Sequence, residues 1–356
     1  MTLLAVADAG REAAPAKVRA PKAVIARMGV VVALLHVVGW GGLCAVTFWG
    51  VITPAAGFGI GLGWTVWALG MRHAFDPDHI AAIDNTTRRL VGLGQRPVSV
   101  GFWFSLGHST VVFVACSLLA GGVRAVVNGV ADGGSPLHTT LGAVGLAVSA
   151  VFLLVIGVVN LSAFTGMVRT RRRMDDVSGD ELESLLAKRG LLARLLRGRL
   201  FGISKPWQIY PVGVLFGLGF DTATEVGLFA IAAGTATTNL PWYAVLTLPV
   251  IFAAGMALFD TADGVVMNYT YGWAGGNSAK FRLNYSLLVT GLSVALALSI
   301  GLVELCALAS QTFGLTAGPV AWFGGVQLGS LGLAMAGLFV AIWVCALVIA
   351  RARRER

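Results

Sequence analysis

The feature that most constrains this chain is a series of long apolar runs. Eight segments of the 356-residue sequence are as long as the roughly 20 apolar residues that a helix needs to cross a bilayer. They are numbered here as spans 1 to 8 and cover approximately 28–50, 57–85, 98–122, 140–165, 208–234, 241–268, 283–309 and 322–350. We therefore expect an all-α polytopic membrane protein with eight transmembrane helices.

The composition excludes the main soluble alternatives. Only 12% of the residues are charged and 56% are hydrophobic, whereas about a quarter of the residues are charged in ordinary soluble domains. So few charges cannot cover a solvated surface, and the apolar content excludes a disordered chain. The net charge of +9 does not indicate nucleic-acid binding, because the basic residues are clustered and do not cover one exposed face.

The basic residues also predict the orientation in the bilayer. If both termini are cytoplasmic, 24 of the 26 Lys and Arg residues fall on the cytoplasmic side, as the positive-inside rule requires. We expect a cytoplasmic N-terminal tail over 1–27, an eight-helix membrane domain over 28–350 and a cytoplasmic tail over 351–356. The longest connection, 166–207, is then a cytoplasmic loop between spans 4 and 5.

Ionisable side chains inside the spans are the main functional signal. A charged group in a span costs about 2.5–3.5 kcal/mol on insertion scales, so such residues usually mark a pathway or a site. Span 2 carries two imidazoles and two carboxylates within seven residues, beside Arg72. Imidazole and carboxylate together favour a first-row transition cation. The pattern predicts the metal ligands His73, Asp76, Asp78 and His79.

A regular helix cannot direct these four side chains at one ion, because His73 and His79 lie about 240° apart around its axis. Pro77 lacks an N–H group, and its ring clashes with the carbonyl of His73. We therefore expect a broken second helix whose ligands converge, with the unwound backbone lining a cavity. Arg72 would balance the carboxylates. The alternative is a structural ion-pair cluster of Arg72 with Asp76 or Asp78.

Spans 1 and 3 each contribute a histidine. His108 is followed by Ser109 and Thr110; it is interpreted as a ligand, a proton acceptor or a gate, against a hydrogen-bonded histidine of the core. His36 is a weaker candidate of the same kind. Asp84 lies near the cytoplasmic end of span 2, where we expect water to solvate it.

Spans 5 and 6 carry paired carboxylates. Asp221 and Glu225 are four residues apart and Asp260 and Asp263 are three apart, so each pair shares a helix face. We interpret them as a second cation station or as proton carriers, with Thr222 able to hydrogen-bond them. The alternative is hydrogen bonding between helices.

A short internal similarity relates spans 2 and 3 to spans 5 and 6. Residues 75–76 match 220–221, and the Phe-x-x-Gly pattern of 104–108 matches that of 252–256. Because an offset of three spans reverses direction, the matches predict an inverted repeat with a binding site near mid-membrane between two halves. Chance similarity is the alternative.

The same segments carry a family resemblance. Residues 72–80 closely resemble the second-span signature of the nickel/cobalt transporter family (NiCoT), with its His-x4-Asp-His core at His73, Asp78 and His79. Three further stretches resemble other signatures of that family: 104–112, 218–225 and 255–260. One departure is Pro77, where the family commonly has alanine.

The resemblance implies secondary uptake of Ni²⁺ and/or Co²⁺ through the inner membrane of a bacterium, by an eight-span permease with cytoplasmic ends. It implies that the four span 2 residues are required and that His36 lies where the family tunes its choice of metal. It also implies supporting roles for His108, Asp221, Glu225 and Asp260. The metal is then a substrate and not a cofactor.

Two other functions are weighed against uptake. Metal efflux by a related fold is disfavoured, because the loop 166–207 lacks the histidines that such exporters often carry. An intramembrane metalloenzyme is disfavoured because no HExxH motif is present, and neighbouring His108 and Ser109 point about 100° apart on a helix. No P-loop motif is present in the sequence, so we expect no obligatory ATPase activity or partner. The expected partners are the metal and the lipid bilayer.

Overall fold

A computed structural model describes residues 22–48, 59–120, 136–173, 203–218, 228–229, 231–232, 241–273, 279–326, 337–338 and 341. All regular structure within these ranges is helical. The helices are α1 (Lys22–Phe48), α2 (Ile60–Ala74), α3 (Pro77–Gly92), α4 (Val100–Ala120), α5 (Pro136–Arg173), α6 (Tyr210–Gly217), α7 (Trp242–Val245), α8 (Thr247–Trp273), α9 (Ala279–Phe313) and α10 (Gly318–Gly324). A 3-10 turn, Pro206–Ile209, precedes α6.

Five helical segments among the described residues are long and apolar enough to cross a membrane. They are Lys22–Phe48, Val100–Ala120, Gly142–Arg169, Trp242–Tyr269 and Ser286–Phe313, and they correspond to spans 1, 3, 4, 6 and 7. The protein is therefore an all-α, multi-pass membrane protein. Most of span 8 and of the loop 166–207 lies outside the described residues, so the eight-span topology with cytoplasmic termini remains a prediction.

The second span is broken where the sequence predicts. α2 ends at Ala74 and α3 begins at Pro77. The backbone N–H groups of Phe75 and Asp76 donate to the carbonyls of Arg72 and His73, at 3.0 and 2.9 Å, and so close α2. Asp76 has an extended backbone, with φ −66° and ψ 140°, because helical geometry is sterically disfavoured for a residue before proline.

α8 lies at the centre of the bundle, in contact with α1, α2, α3 and α4. Its backbone touches that of α2 at a pair of glycines. A Cβ placed on Gly255 would lie 2.5 Å from the carbonyl oxygen of Trp67, and one on Gly70 would overlap the carbonyl oxygen of Phe252. Only glycine allows so close an approach of two helices. We call this contact the α2–α8 crossing.

α4 and α6 meet in the same way. A Cβ on Gly107 would overlap the carbonyl oxygen of Tyr210, and one on Gly213 would overlap the carbonyl oxygen of Phe104. In this α4–α6 crossing, as in the α2–α8 crossing, each glycine meets the residue three positions before the partner glycine. The two crossings therefore share one contact pattern.

The middle of α3 carries buried polar residues. Asp84 is only 1% exposed and forms an ion pair with Arg88, and Asn160 donates to the side-chain oxygen of Asn85 at 2.6 Å. The expectation that water solvates Asp84 is wrong, because α3 is enclosed by α5, α8 and α9 and a basic side chain replaces water as the partner of the carboxylate.

Candidate metal centre

Three histidines from three helices converge in the interior. His73 lies in the last turn of α2, His79 in the first turn of α3 and His108 within α4. One ring nitrogen from each lies within 4.8 Å of the others, and the ring centroids are 4.5 to 4.9 Å apart. The break at Pro77 makes this possible, because it releases His79 from the register that a continuous helix would impose.

His73 is held from both sides. Its Nδ1 lies 2.9 Å from Oδ2 of Asp76, and its Nε2 lies 2.9 Å from Nε2 of His108. An ionised carboxylate can only accept a hydrogen bond, so Nδ1 of His73 donates to Asp76 and Nε2 is left as an acceptor. An unprotonated Nε2, fixed by a carboxylate on the other nitrogen, is the usual state of a metal-binding histidine.

His79 and Asp260 are buried and contact each other, but their side-chain polar atoms lack the hydrogen bonds that buried polar groups normally make. Neither ring nitrogen of His79, nor either carboxylate oxygen of Asp260, makes a hydrogen bond within the described part of the chain. The two side chains approach to 3.4 Å between Nδ1 and Oδ2, and they are 0% and 1% exposed. Leaving such groups unsatisfied costs about 1–3 kcal/mol each, or more for charged groups.

Aromatic rings enclose the cluster. The ring of Phe104 lies edge-on to His79 at 4.7 Å between centroids, and the ring of Phe252 lies 5.7 Å from His73. Both phenylalanines are fully buried. Apolar walls of this kind exclude water and strengthen electrostatic interactions inside the site.

Asp78 stands beside the cluster. Its Oδ1 accepts a hydrogen bond from the backbone N–H of His79 at 2.9 Å, which satisfies one of the free N–H groups at the start of α3. The side chain is half-buried. Asp78 therefore helps to fix the backbone that carries His79.

The donor set fits a transition-metal cation. Three imidazoles and a carboxylate suit nickel, cobalt, copper or zinc better than magnesium or calcium, which prefer oxygen ligands alone. A cation would also engage the side-chain polar atoms of His79 and Asp260, which make no hydrogen bond among the described residues. The cluster is thus a candidate site for a divalent transition-metal cation.

Comparison with known proteins agrees with this chemistry. The family model described as high-affinity nickel-transport protein, NicO, matches residues 59–349. The chain belongs to the NicO family. The NicO match includes every residue of the cluster.

Named relatives cover most of the chain. It is 47% identical to "Nickel transporter NicT" of Mycobacterium tuberculosis, over 90% of this chain and 87% of the relative. It is 44% identical to "Hydrogenase nickel incorporation protein HupN" of Bradyrhizobium diazoefficiens, over 80% and 74%. It is 39% identical to "Cobalt transport protein NhlF" of Rhodococcus rhodochrous, over 85% and 86%. No solved structure matches.

His36 is not a member of the three-histidine cluster of this NicO protein. Its Nε2 accepts a hydrogen bond from the indole N–H of Trp67 at 3.1 Å, and its Nδ1 lies 2.8 Å from the carbonyl oxygen of Val32. An indole nitrogen can only donate, so Nδ1 of His36 carries the proton. Both ring nitrogens are therefore occupied.

The other residues singled out from the sequence lie around the site or beyond the described ranges. Ser109 is buried, whereas Thr110 is exposed and shares a 2.8 Å hydrogen bond with Tyr210. Arg72 is exposed and forms no ion pair within the described part, although its charge acts on Asp76 at longer range. The remaining candidates, which lie outside the described residues, are Asp221, Thr222 and Glu225.

Sequence reasoning missed two features of the site. It treated Asp76 as a metal ligand or as an ion-pair partner of Arg72, and not as the partner that orients His73. It also missed the bond between Trp67 and His36. The contact of Asp76 with His73 had a signal in their three-residue spacing, which allows a contact across a helix end. The bond between Trp67 and His36 joins positions 31 residues apart and has no such signal in the sequence.

Proposed function

We propose that this protein is a secondary permease that takes up Ni²⁺ and/or Co²⁺ across the bacterial inner membrane. The observation that carries the proposal is the buried contact of His79 with Asp260, whose side-chain polar atoms make no hydrogen bond among the described residues, beside two further histidines. The printed names of the relatives, which include nickel and cobalt transporters, support the choice of cargo.

In this proposal the cation is bound within span 2 and its neighbours. His73, His79 and His108 supply ring nitrogens, and Asp260 supplies a carboxylate oxygen. Asp76 orients His73 and, with Asp78, offsets the charge of the cation. The carboxylates Asp221 and Glu225, with Thr222, form a further station along the path, and Arg72, Ser109 and Thr110 shape its surroundings.

The membrane potential supplies the driving force. An inside-negative potential of 100 mV favours entry of a divalent ion by about 4.6 kcal/mol, which is twice the value for a single charge. Uptake therefore needs no ATP hydrolysis by this chain. The shared pattern of the α2–α8 and α4–α6 crossings supports an inverted repeat whose halves alternate around the central site.

Reconstitution tests the proposal. Purified protein in liposomes with an inside-negative potential should accumulate labelled nickel or cobalt, and His73→Ala should reduce accumulation to background. His138→Ala, which removes a histidine at the start of α5, serves as the matched control and should leave uptake unchanged. Undiminished uptake by the His73 variant at equal protein levels would contradict the site, and accumulation of neither metal by the wild type would contradict the function.

A further inference from the structure

One face of α8 passes along the cluster. Phe252, Met256 and Asp260 follow one another at intervals of four residues, so their side chains lie in one row with a drift of about 40° per step. Phe252 contacts the ring of His73 at 5.7 Å, and Asp260 reaches Nδ1 of His79 at 3.4 Å. Met256 lies midway between them and is fully buried, with 0% exposure. Helical periodicity therefore places its side chain on the face of α8 that carries Phe252 and Asp260.

The two glycine crossings also single out Met256, because it occupies the same place in one crossing that His108 occupies in the other. His108 directly follows the glycine of α4, and Met256 directly follows the glycine of α8. The correspondence extends to the neighbouring rings. In the α2–α8 crossing, His73 stands three positions after the glycine of α2. In the α4–α6 crossing, Phe216 stands three positions after the glycine of α6.

These two rings have matching contacts. His73 meets Phe252 at 5.7 Å and Phe216 meets Phe104 at 5.3 Å, and each of these phenylalanines stands three positions before its own glycine. His108 and Met256 are thus equivalent positions of two similar halves. Because His108 points into the cluster, the repeat predicts that Met256 approaches the same site from the opposite half.

We propose that Met256 supplies a thioether sulfur to the cation held by the three histidines, and that this sulfur makes the site selective. The inference rests on the proposed function, because it concerns the same cation. Imidazole and carboxylate together also accept Mn²⁺, whereas a thioether is a soft ligand that disfavours Mg²⁺, Ca²⁺ and Mn²⁺. Met256 therefore selects against hard divalent ions.

Competition for uptake tests selectivity. Met256→Leu keeps the volume of the side chain and removes the sulfur, so the transporter should fold. In proteoliposomes, we expect this variant to require about tenfold more nickel for half-maximal uptake and to be inhibited by manganese at concentrations that leave the wild type unaffected. Met267→Leu, a buried methionine of the same helix that is 5% exposed, is the matched control and should behave as the wild type.

Nickel K-edge X-ray absorption on the purified, nickel-loaded wild type tests ligation without a variant. We expect a sulfur scatterer in the first coordination sphere that is lost in Met256→Leu and kept in Met267→Leu. Absence of sulfur from the wild-type spectrum, or its persistence in Met256→Leu, would overturn the inference and leave the proposed function intact. Failure of the wild type to accumulate nickel or cobalt would instead overturn the proposed function.

Discussion

Asp76 accepts a hydrogen bond from Nδ1 of His73 at 2.9 Å across the break in the second span. The carboxylate thereby fixes which nitrogen of His73 is protonated and directs the other nitrogen towards His79 and His108. The unwound backbone between α2 and α3 places the carboxylate in this position. A local disruption of helix geometry thus determines the protonation of a residue at the centre of the cluster.

This relationship predicts the effect of Asp76→Asn. The amide is a weaker acceptor and can also donate to Nδ1, so it no longer holds His73 with Nε2 unprotonated. We expect nickel affinity to fall by about 10–100-fold, the usual cost of losing such a partner, with normal protein levels. Isothermal titration calorimetry on the purified protein measures the nickel affinity. Asp180→Asn, in the loop 166–207, is the control, and equal affinities of the two variants would contradict the role.

The α2–α8 crossing predicts a difference between two glycines of one helix. Gly70→Ala places a Cβ against the carbonyl oxygen of Phe252, whereas Gly61→Ala meets nothing within 4 Å. We expect Gly70→Ala to destabilise the protein by about 1–3 kcal/mol, as overpacking does, and Gly61→Ala to leave stability unchanged. Thermal unfolding in detergent, monitored as the loss of the monodisperse peak, measures the stability of both variants. Equal melting temperatures would show that α2 and α8 do not approach so closely.

The hydrogen bond between Trp67 and His36 predicts a change in metal preference. Trp67→Phe keeps a ring in place but removes the N–H that occupies Nε2 of His36. If His36 tunes the choice of metal, as the family resemblance implies, the ratio of nickel to cobalt uptake should change by about fivefold, the equivalent of one hydrogen bond near 1 kcal/mol.

Trp64→Phe is the control for this experiment. Trp64 packs its ring on Trp67 at 5.6 Å and is exposed to 57%, and no side-chain hydrogen bond of Trp64 is found among the described residues. Competition between labelled nickel and unlabelled cobalt reports the ratio. An unchanged ratio in Trp67→Phe, with a changed ratio in His36→Gln, would show that the indole does not restrain His36.

The ion pair of Asp84 and Arg88 predicts a stability effect away from the metal site. Arg88→Ala removes one basic partner of a carboxylate that is 1% exposed, and removal of one partner of a buried pair costs about 3–5 kcal/mol. We expect a lower melting temperature that the double variant Asp84→Asn, Arg88→Gln largely restores. Arg96→Ala, an exposed residue, is the control. A failure of the double variant to recover stability would argue against the pair.

Much of the site was predictable because its determinants are local. The break at Pro77 follows from a missing N–H and a steric clash between residues four apart, and the ligand chemistry follows from the residue types of one segment. The positions of His108 and Asp260 opposite His73 and His79 depend on how α4 and α8 pack. The sequence identified both as candidates, but the crossings at Gly107 and Gly255 determine their distances.

Asp84 shows where local reasoning failed. Its place near a predicted span end indicated water, because hydropathy reports depth along one helix and not enclosure by others. The burial of α3 depends on α5, α8 and α9 together, which a single segment does not reveal. For the same reason the partner of His36 was not predictable, since Trp67 lies on a different helix.

The break in the second span also sets the backbone's own contribution to the site. The carboxyl end of α2 and the amino end of α3 meet at Asp76, and they carry about −0.5 and +0.5 of an elementary charge. These two half-charges lie at nearly the same point, so their fields largely cancel at the cluster. Attraction for the proposed cation is thus left to side chains, and we expect that exchange of a few side chains changes which metal is accepted while the fold stays the same.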